Sequence, residues 1–152
     1  MPIVTKKGDK AKEFTLKDQY DEEVSLSDFQ GKKVILSFHP LAWTSVCAEQ
    51  MKALEAHKEK FDSLNTIALG ISIDTVPSKN AWAKDLGIKN TKLLSDFWPH
   101  GKISKAYGIF RETNGFSERA CFVLNENHRV TFARVYPIKE LPDMEEIIQA
   151  LA

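Results

Sequence analysis

The sequence predicts an α/β fold, a mixed central sheet flanked by helices, and three observations carry that expectation. Residues 34–38 are almost wholly apolar, as a strand buried on both faces must be. A second such run, 66–73, sets Ile67, Leu69, Ile71 and Ile73 against small residues. Helix-length segments separate these runs, and a closing hairpin and helix follow. Strands alternating with helices in this way describe an α/β sandwich around a mixed sheet.

Each element has its own local signal. Residues 14–16 and 23–25 flank the polar turn 18–21 and form a small N-terminal hairpin. The strand at 34–38 leads into a helix over 44–61. After the strand at 66–73, a helix over 78–86 is closed by Gly87, a common C-terminal stop. A short strand at 92–94 precedes a short helix at 102–107, which ends before Gly108. Strands at 119–124 and 130–136 are joined by the polar turn 125–128. The last helix carries Met144, Ile147, Ile148 and Leu151 at i, i+3, i+4 and i+7, an amphipathic stripe.

Composition bounds the function. The 152 residues show no repeat, low-complexity tract or linker, so one domain over 1–152 is expected. Apolar content of 43% with 28% charged residues excludes intrinsic disorder. Twenty-one basic residues balance 21 acidic ones, which argues against a nucleic-acid partner. No apolar run approaches the roughly 20 residues of a membrane span. Residues 1–12 are polar and lack the apolar centre of a secretory signal, so a cytoplasmic location is expected. There the two cysteines, Cys47 and Cys121, rest as thiols. The absence of a Cys-x-x-Cys pair excludes a thioredoxin-type dithiol reductase. His39, His57, His100 and His128 show no metal-ligand spacing, so no metal is expected.

The segment 40–47 leaves the carboxyl end of the first buried strand and enters a helix, where ligand sites of open α/β sheets concentrate. Cys47 then falls in the first helical turn, where free N–H groups and the helix dipole stabilise an anion. The thiolate is the nucleophilic form of cysteine. Thr44 precedes it by three residues, so its hydroxyl can reach toward the sulfur or a substrate oxygen. Pro40 lacks an N–H and stiffens the loop. Cys47 also shares a helix face with Met51, Leu54, Lys58 and Phe61, and cysteine is among the most buried residue types. Periodicity alone leaves Cys47 open between core residue and nucleophile, though the stripe turns its sulfur inward toward a pocket.

Pro40, Thr44 and Cys47 match the Pro-x-x-x-Thr/Ser-x-x-Cys motif of peroxiredoxins. Residues 14–18 and 24–29 resemble the opening hairpin and helix of that family, and 119–124 resemble the strand that carries its active-site arginine. The resemblance covers nearly the whole chain. It implies a thioredoxin-like fold with an N-terminal hairpin extension. It also implies a thiol peroxidase that reduces hydrogen peroxide and organic hydroperoxides through a Cys47 sulfenic acid, without a metal or organic cofactor. Thr44, Arg119 and the backbone amides of Val46 and Cys47 would position the peroxide. Without the motif, Arg119 would read as a surface ion pair. Gln50 stands where the family often has a residue that hydrogen-bonds nearby groups, and Trp82 at an aromatic position that serves core packing.

The resemblance also bears on how the thiol is recycled. Lys52 stands where some members carry a resolving cysteine, which excludes that subtype. Only Cys121 remains. By strand alternation it points to the same side as Arg119, yet it matches no standard resolving position, and a buried structural cysteine is the favoured reading. Residues 94–101 and 106–108 look like the one-cysteine, AhpE-type branch. That implies an external thiol reductant: a small thiol, or a mycoredoxin-, glutaredoxin- or thioredoxin-like protein. It also implies a homodimer formed near the active-site loops, with Trp43 and Trp98 as interface aromatics. Two other readings compete. A redox sensor would oxidise once without turnover. A Cys–His acyl-transfer enzyme would need His39 as base, but that position is often aromatic in the family and no orienting acid is evident.

Overall fold

Alternating apolar residues build a seven-stranded sheet with both faces covered. The structure, a computed structural model, describes residues 3–152; Met1 and Pro2, at the head of the polar stretch 1–12, lie outside the described residues. Strands β3 (Lys33–Phe38), β4 (Thr66–Ser72) and β5 (Lys92–Ser95) run parallel at the centre. On one side, β8 (Arg119–Leu124) pairs antiparallel with β3, and β9 (Val130–Tyr136) antiparallel with β8. On the other, the hairpin of β1 (Thr15–Lys17) and β2 (Glu23–Ser25) docks on β5 through Lys17 and Ser95. The order is β2-β1-β5-β4-β3-β8-β9, the mixed sheet expected.

Period-two alternation divides the core into two layers. Val34, Leu36, Phe38, Leu69, Ile71 and Phe122 face α4 (Lys102–Ala106) and the hairpin residues Phe14 and Leu16. Ile35, Ala68, Leu93, Cys121 and Val123 face the opposite layer of α1 (Ser45–Ala56), α2 (Lys58–Ser63), α3 (Val76–Leu86) and α5 (Met144–Ala150). Cys47 and Cys121 therefore share the helical side of the sheet.

Several boundaries differ from the sequence expectation. The helix expected over 44–61 is two helices broken at His57, whose backbone sits at φ −98°, ψ 11°. The His57 Nδ1 lies 2.8 Å from the Ala53 carbonyl, so a side chain competes for an acceptor of the helix ladder. The break takes Lys58 out of the buried stripe, and it pairs with Asp62 at 2.7 Å. Helix α3 starts two residues early because Thr75 caps it and Pro77 is tolerated in a first turn. Its stop is as expected, with Gly87 left-handed at φ 73°. A 3-10 helix at Leu26–Phe29 and a small hairpin of β6 (Phe110–Arg111) and β7 (Phe116–Ser117) complete the elements.

Candidate active site

β3 ends at Phe38, and the chain crosses the carboxyl ends of the parallel strands before α1 begins. The His39 amide still donates to Ile71 O at 3.0 Å, which extends the β3–β4 ladder by one rung. Pro40 follows and is buried. The loop is then fixed from the side of α3. Asp74 Oδ2 accepts the Ala42 N–H at 2.8 Å and the Ser72 hydroxyl at 2.6 Å. Trp43 Nε1 donates to Ser78 Oγ at 3.0 Å while its backbone holds φ 69°, a region bulky side chains rarely occupy. Two independent tethers therefore hold a conformation that a free loop would leave.

Thr44 is the N-cap of α1, so Cys47 occupies the first turn as expected. The Thr44 hydroxyl donates to Leu41 O at 2.8 Å and caps no amide of its own helix. Ala48 N makes the first helical bond, to Thr44 O. The Val46 and Cys47 N–H groups precede that bond, at the positive end of the dipole.

Cys47 is fully buried, and Arg119 is 2% exposed. Arg119 Nη1 stands 3.3 Å from Cys47 Sγ and 2.7 Å from Gln50 Oε1. Its Nε and Nη2 both donate to Ile138 O, at 3.0 and 2.8 Å. Among the described residues no carboxylate pairs with this guanidinium. Gln50 is pinned in turn: its Nε2 donates to Ser37 Oγ at 2.7 Å and to Phe38 O at 3.1 Å. Ser37 Oγ lies 3.6 Å from Cys121 Sγ. Burial pushes the Cys121 thiol up to about 12, against the lowering effect of Ser37 and Arg119. Cys121 is thus protonated at any physiological pH.

A cleft of about 200 Å³ is lined by Cys47, Thr44 and Arg119 together with the apolar side chains of Leu41, Phe116 and Ile138. A larger groove, about 450 Å³, runs between the hairpin and the start of α3 and is lined by neither cysteine. His39, considered above as a base, is engaged by another group: its Nε2 meets Lys79 Nζ at 3.1 Å. Among the described residues no three metal-ligating side chains gather, and no helix is long and apolar enough to cross a membrane. Sequence reasoning missed Asp74, the Ile138 carbonyl and Lys79. Lys79 left one signal, its i, i+3, i+4 spacing with Trp82 and Ala83 on the buried face of α3.

Fold and site together define a class of protein, the peroxiredoxins, which are thiol peroxidases. The chain belongs to the AhpC/TSA family, whose model matches residues 7–133. It is 38% identical to alkyl hydroperoxide reductase E of Mycobacterium tuberculosis over 146 residues, 95% of each chain. A thiol peroxidase of Streptococcus sanguinis is 33% identical over 145 residues, covering 95% of this chain and 87% of that one. Among solved structures, a reduced 2-Cys peroxiredoxin of Plasmodium vivax superposes with TM-score 0.86 at 30% identity, covering 97% of this chain and 80% of that chain.

Proposed function

We propose that Cys47 is the peroxidatic thiolate and that it reduces hydrogen peroxide and organic hydroperoxides. The carrying observation is the 3.3 Å approach of the Arg119 guanidinium to a buried sulfur in the first turn of α1. Among the described residues Arg119 has no carboxylate partner, so a Cys47 thiolate is the anion its charge meets. The sulfur attacks one peroxide oxygen in line with the O–O bond. An S–O bond forms, the O–O bond breaks, and the electron pair leaves on the distal oxygen as alkoxide or hydroxide, which takes up a proton. Cys47 is oxidised to sulfenic acid and the peroxide reduced to alcohol or water. Arg119 Nη1 and the Val46 and Cys47 amides face the charge that develops, which is where electrostatic stabilisation acts on rate. Pro40 and Thr44 hold the loop and line the cleft.

The apolar walls at Leu41, Phe116 and Ile138 suit the alkyl group of an organic hydroperoxide. Cys121 is disfavoured as a resolving thiol, because it is buried on a central strand and bonded to Ser37. An external thiol therefore attacks the sulfenic sulfur, expels water and forms a mixed disulfide; a second thiol then releases Cys47. A small thiol or a thioredoxin-, glutaredoxin- or mycoredoxin-like protein fits this role in the cytoplasm. The single domain acts as a homodimer joined near the active-site loops, where Trp43, Phe97 and Trp98 are exposed by 54%, 45% and 80%.

Steady-state peroxide consumption with an excess of a dithiol reductant tests this reading. Many turnovers per Cys47 are expected. A single oxidation without turnover would replace the peroxidase with a sensor.

A further inference from the structure

Behind the loop that delivers Cys47 lies a charge that the proposed reaction does not use. Lys79, on α3, is fully buried, and among the described residues its Nζ has one hydrogen-bond partner, His39 Nε2 at 3.1 Å. Among the described residues no carboxylate lies within ion-pair distance of it. His39 is equally buried, and its ring rests against Trp82 with centroids 5.4 Å apart. A lysine removed from water with only an imidazole to receive it is unusual, because desolvation disfavours the charged form.

The placement of this pair ties it to the reacting sulfur. Lys79, Trp82 and Ala83 form the buried face of α3, and Cys47 packs in the same cluster as Trp82 and Ala83. The start of α3 is tethered to the loop through Trp43–Ser78, and Asp74 holds Ala42. The negative groups whose charge favours the Lys79 ammonium are Asp74 after β4, Cys47 on α1 and Asp96 after β5. Both carboxylates are committed elsewhere: Asp74 to Ala42 and Ser72, Asp96 to the Ile103 and Ser104 amides. Cys47 is the anion whose charge the reaction removes.

We propose that Lys79, seated on His39, is a positioning residue that supplies a second positive charge to the Cys47 thiolate. Burial lowers the Lys79 ammonium to about 7, against Asp74, Cys47 and Asp96, which raise it. Burial, Lys79 and Arg119 hold His39 well below its ordinary value, with the Ser37 backbone acting the other way. His39 is therefore neutral, and its Nε2 accepts from Lys79. Below neutral pH the ammonium supports the thiolate; above it the amine is neutral and the support fades. The coupling is reciprocal: a thiolate holds the proton on Lys79, and conversion to an uncharged sulfenic acid loosens it.

The inference rests on Cys47 being the reacting thiol, but its test reads charge and not turnover. Thiolate ultraviolet absorbance is followed across pH in wild type, Lys79→Met and Lys79→Arg, with circular dichroism as the check on folding. Cys121, pushed up to about 12, stays silent over most of the range. The Cys47 half-titration is expected to rise by about half a pH unit or more in Lys79→Met. It should return toward wild type in Lys79→Arg, whose guanidinium keeps its proton. NMR of the Lys79 side chain supplies the reciprocal measurement, with a half-titration near neutrality in wild type that falls in Cys47→Ser. This comparison decides the matter if Lys79→Met does not fold. An unchanged Cys47 titration in folded Lys79→Met, or a Lys79 half-titration unmoved by Cys47→Ser, overturns the proposal. Loss of peroxide chemistry from Cys47 with these shifts intact would refute the peroxidase role alone.

Discussion

Replacing Arg119 by Met removes the guanidinium that joins Cys47, Gln50 and the chain after β9. Its Nη1 is the donor at 3.3 Å from the sulfur, and its other nitrogens hold Ile138 O at 3.0 and 2.8 Å. Removing one donor aimed at developing charge costs about 10²–10³ in rate, roughly 3–4 kcal/mol of barrier. The second-order rate of peroxide with Arg119→Met should fall by about that factor. Gln50 Oε1 and Ile138 O also lose their partner, which should lower stability by about 1–3 kcal/mol. Arg119→Lys separates charge from shape. An ammonium keeps the charge but cannot reproduce the planar fork that meets Ile138, Gln50 and Cys47 together. Its rate should still fall by about tenfold or more. Stopped-flow tryptophan fluorescence gives the rate, since Trp82 packs in the same cluster as Cys47. Thermal unfolding of each variant keeps the comparison within the folded range. Arg119→Lys within about threefold of wild type, under 1 kcal/mol of barrier, would refute the reasoning.

Other perturbations probe different links. Alkylation of the native protein at mildly alkaline pH should label Cys47 far faster than Cys121, whose thiol stays protonated up to about 12; peptide mapping checks it, and equal labelling would contradict the buried placement. Gly101→Ala should destabilise the fold by about 1–3 kcal/mol in urea unfolding. Gly101 holds φ 70°, and an added Cβ there collides with the Phe110 ring. Lys79 should also make stability depend on pH. Its folded value of about 7 lies below the ordinary 10.5, so between those limits the unfolded chain binds the extra proton. Wild-type stability relative to Lys79→Met should therefore rise with pH across that window, by up to about 1.4 kcal/mol per unit, and be flat below about 7. Urea unfolding at several pH values measures it; a difference independent of pH would mean that Lys79 is not buried as a titrating amine.

The legible parts of this molecule are those whose cause is local. Apolar runs at β3 and β4, the stop at Gly87 and the stripe of Met144, Ile147 and Leu151 each carry their signal within a few residues. The start of α1 was equally legible, and with it the first-turn position of Cys47. Arg119 lies 72 residues from Cys47, and only the family resemblance joined the two. At the break at His57 a side chain shares a backbone carbonyl with the helix ladder, which periodicity does not register. Strands β6 and β7, two residues each, are too short to show alternation. Thr44 stands in the expected place, and its hydrogen bond to Leu41 O is set by loop geometry that spacing does not show. Lys79 was hidden for a different reason. A lysine at that spacing ordinarily snorkels to solvent, and only the meeting of β3 with α3 shows that it cannot.

Cys47 carries the whole functional reading, and one experiment addresses it directly. The reduced protein is treated with one equivalent of peroxide in the presence of a sulfenic-acid trap, then examined by intact mass and peptide mapping. Wild type, Cys47→Ser and Cys121→Ser are compared. The trapped adduct is expected on Cys47 in wild type and in Cys121→Ser, and absent from Cys47→Ser. A loss of two hydrogens that needs both cysteines would make Cys121 a resolving thiol. Peroxide consumption that survives in Cys47→Ser would contradict the central claim.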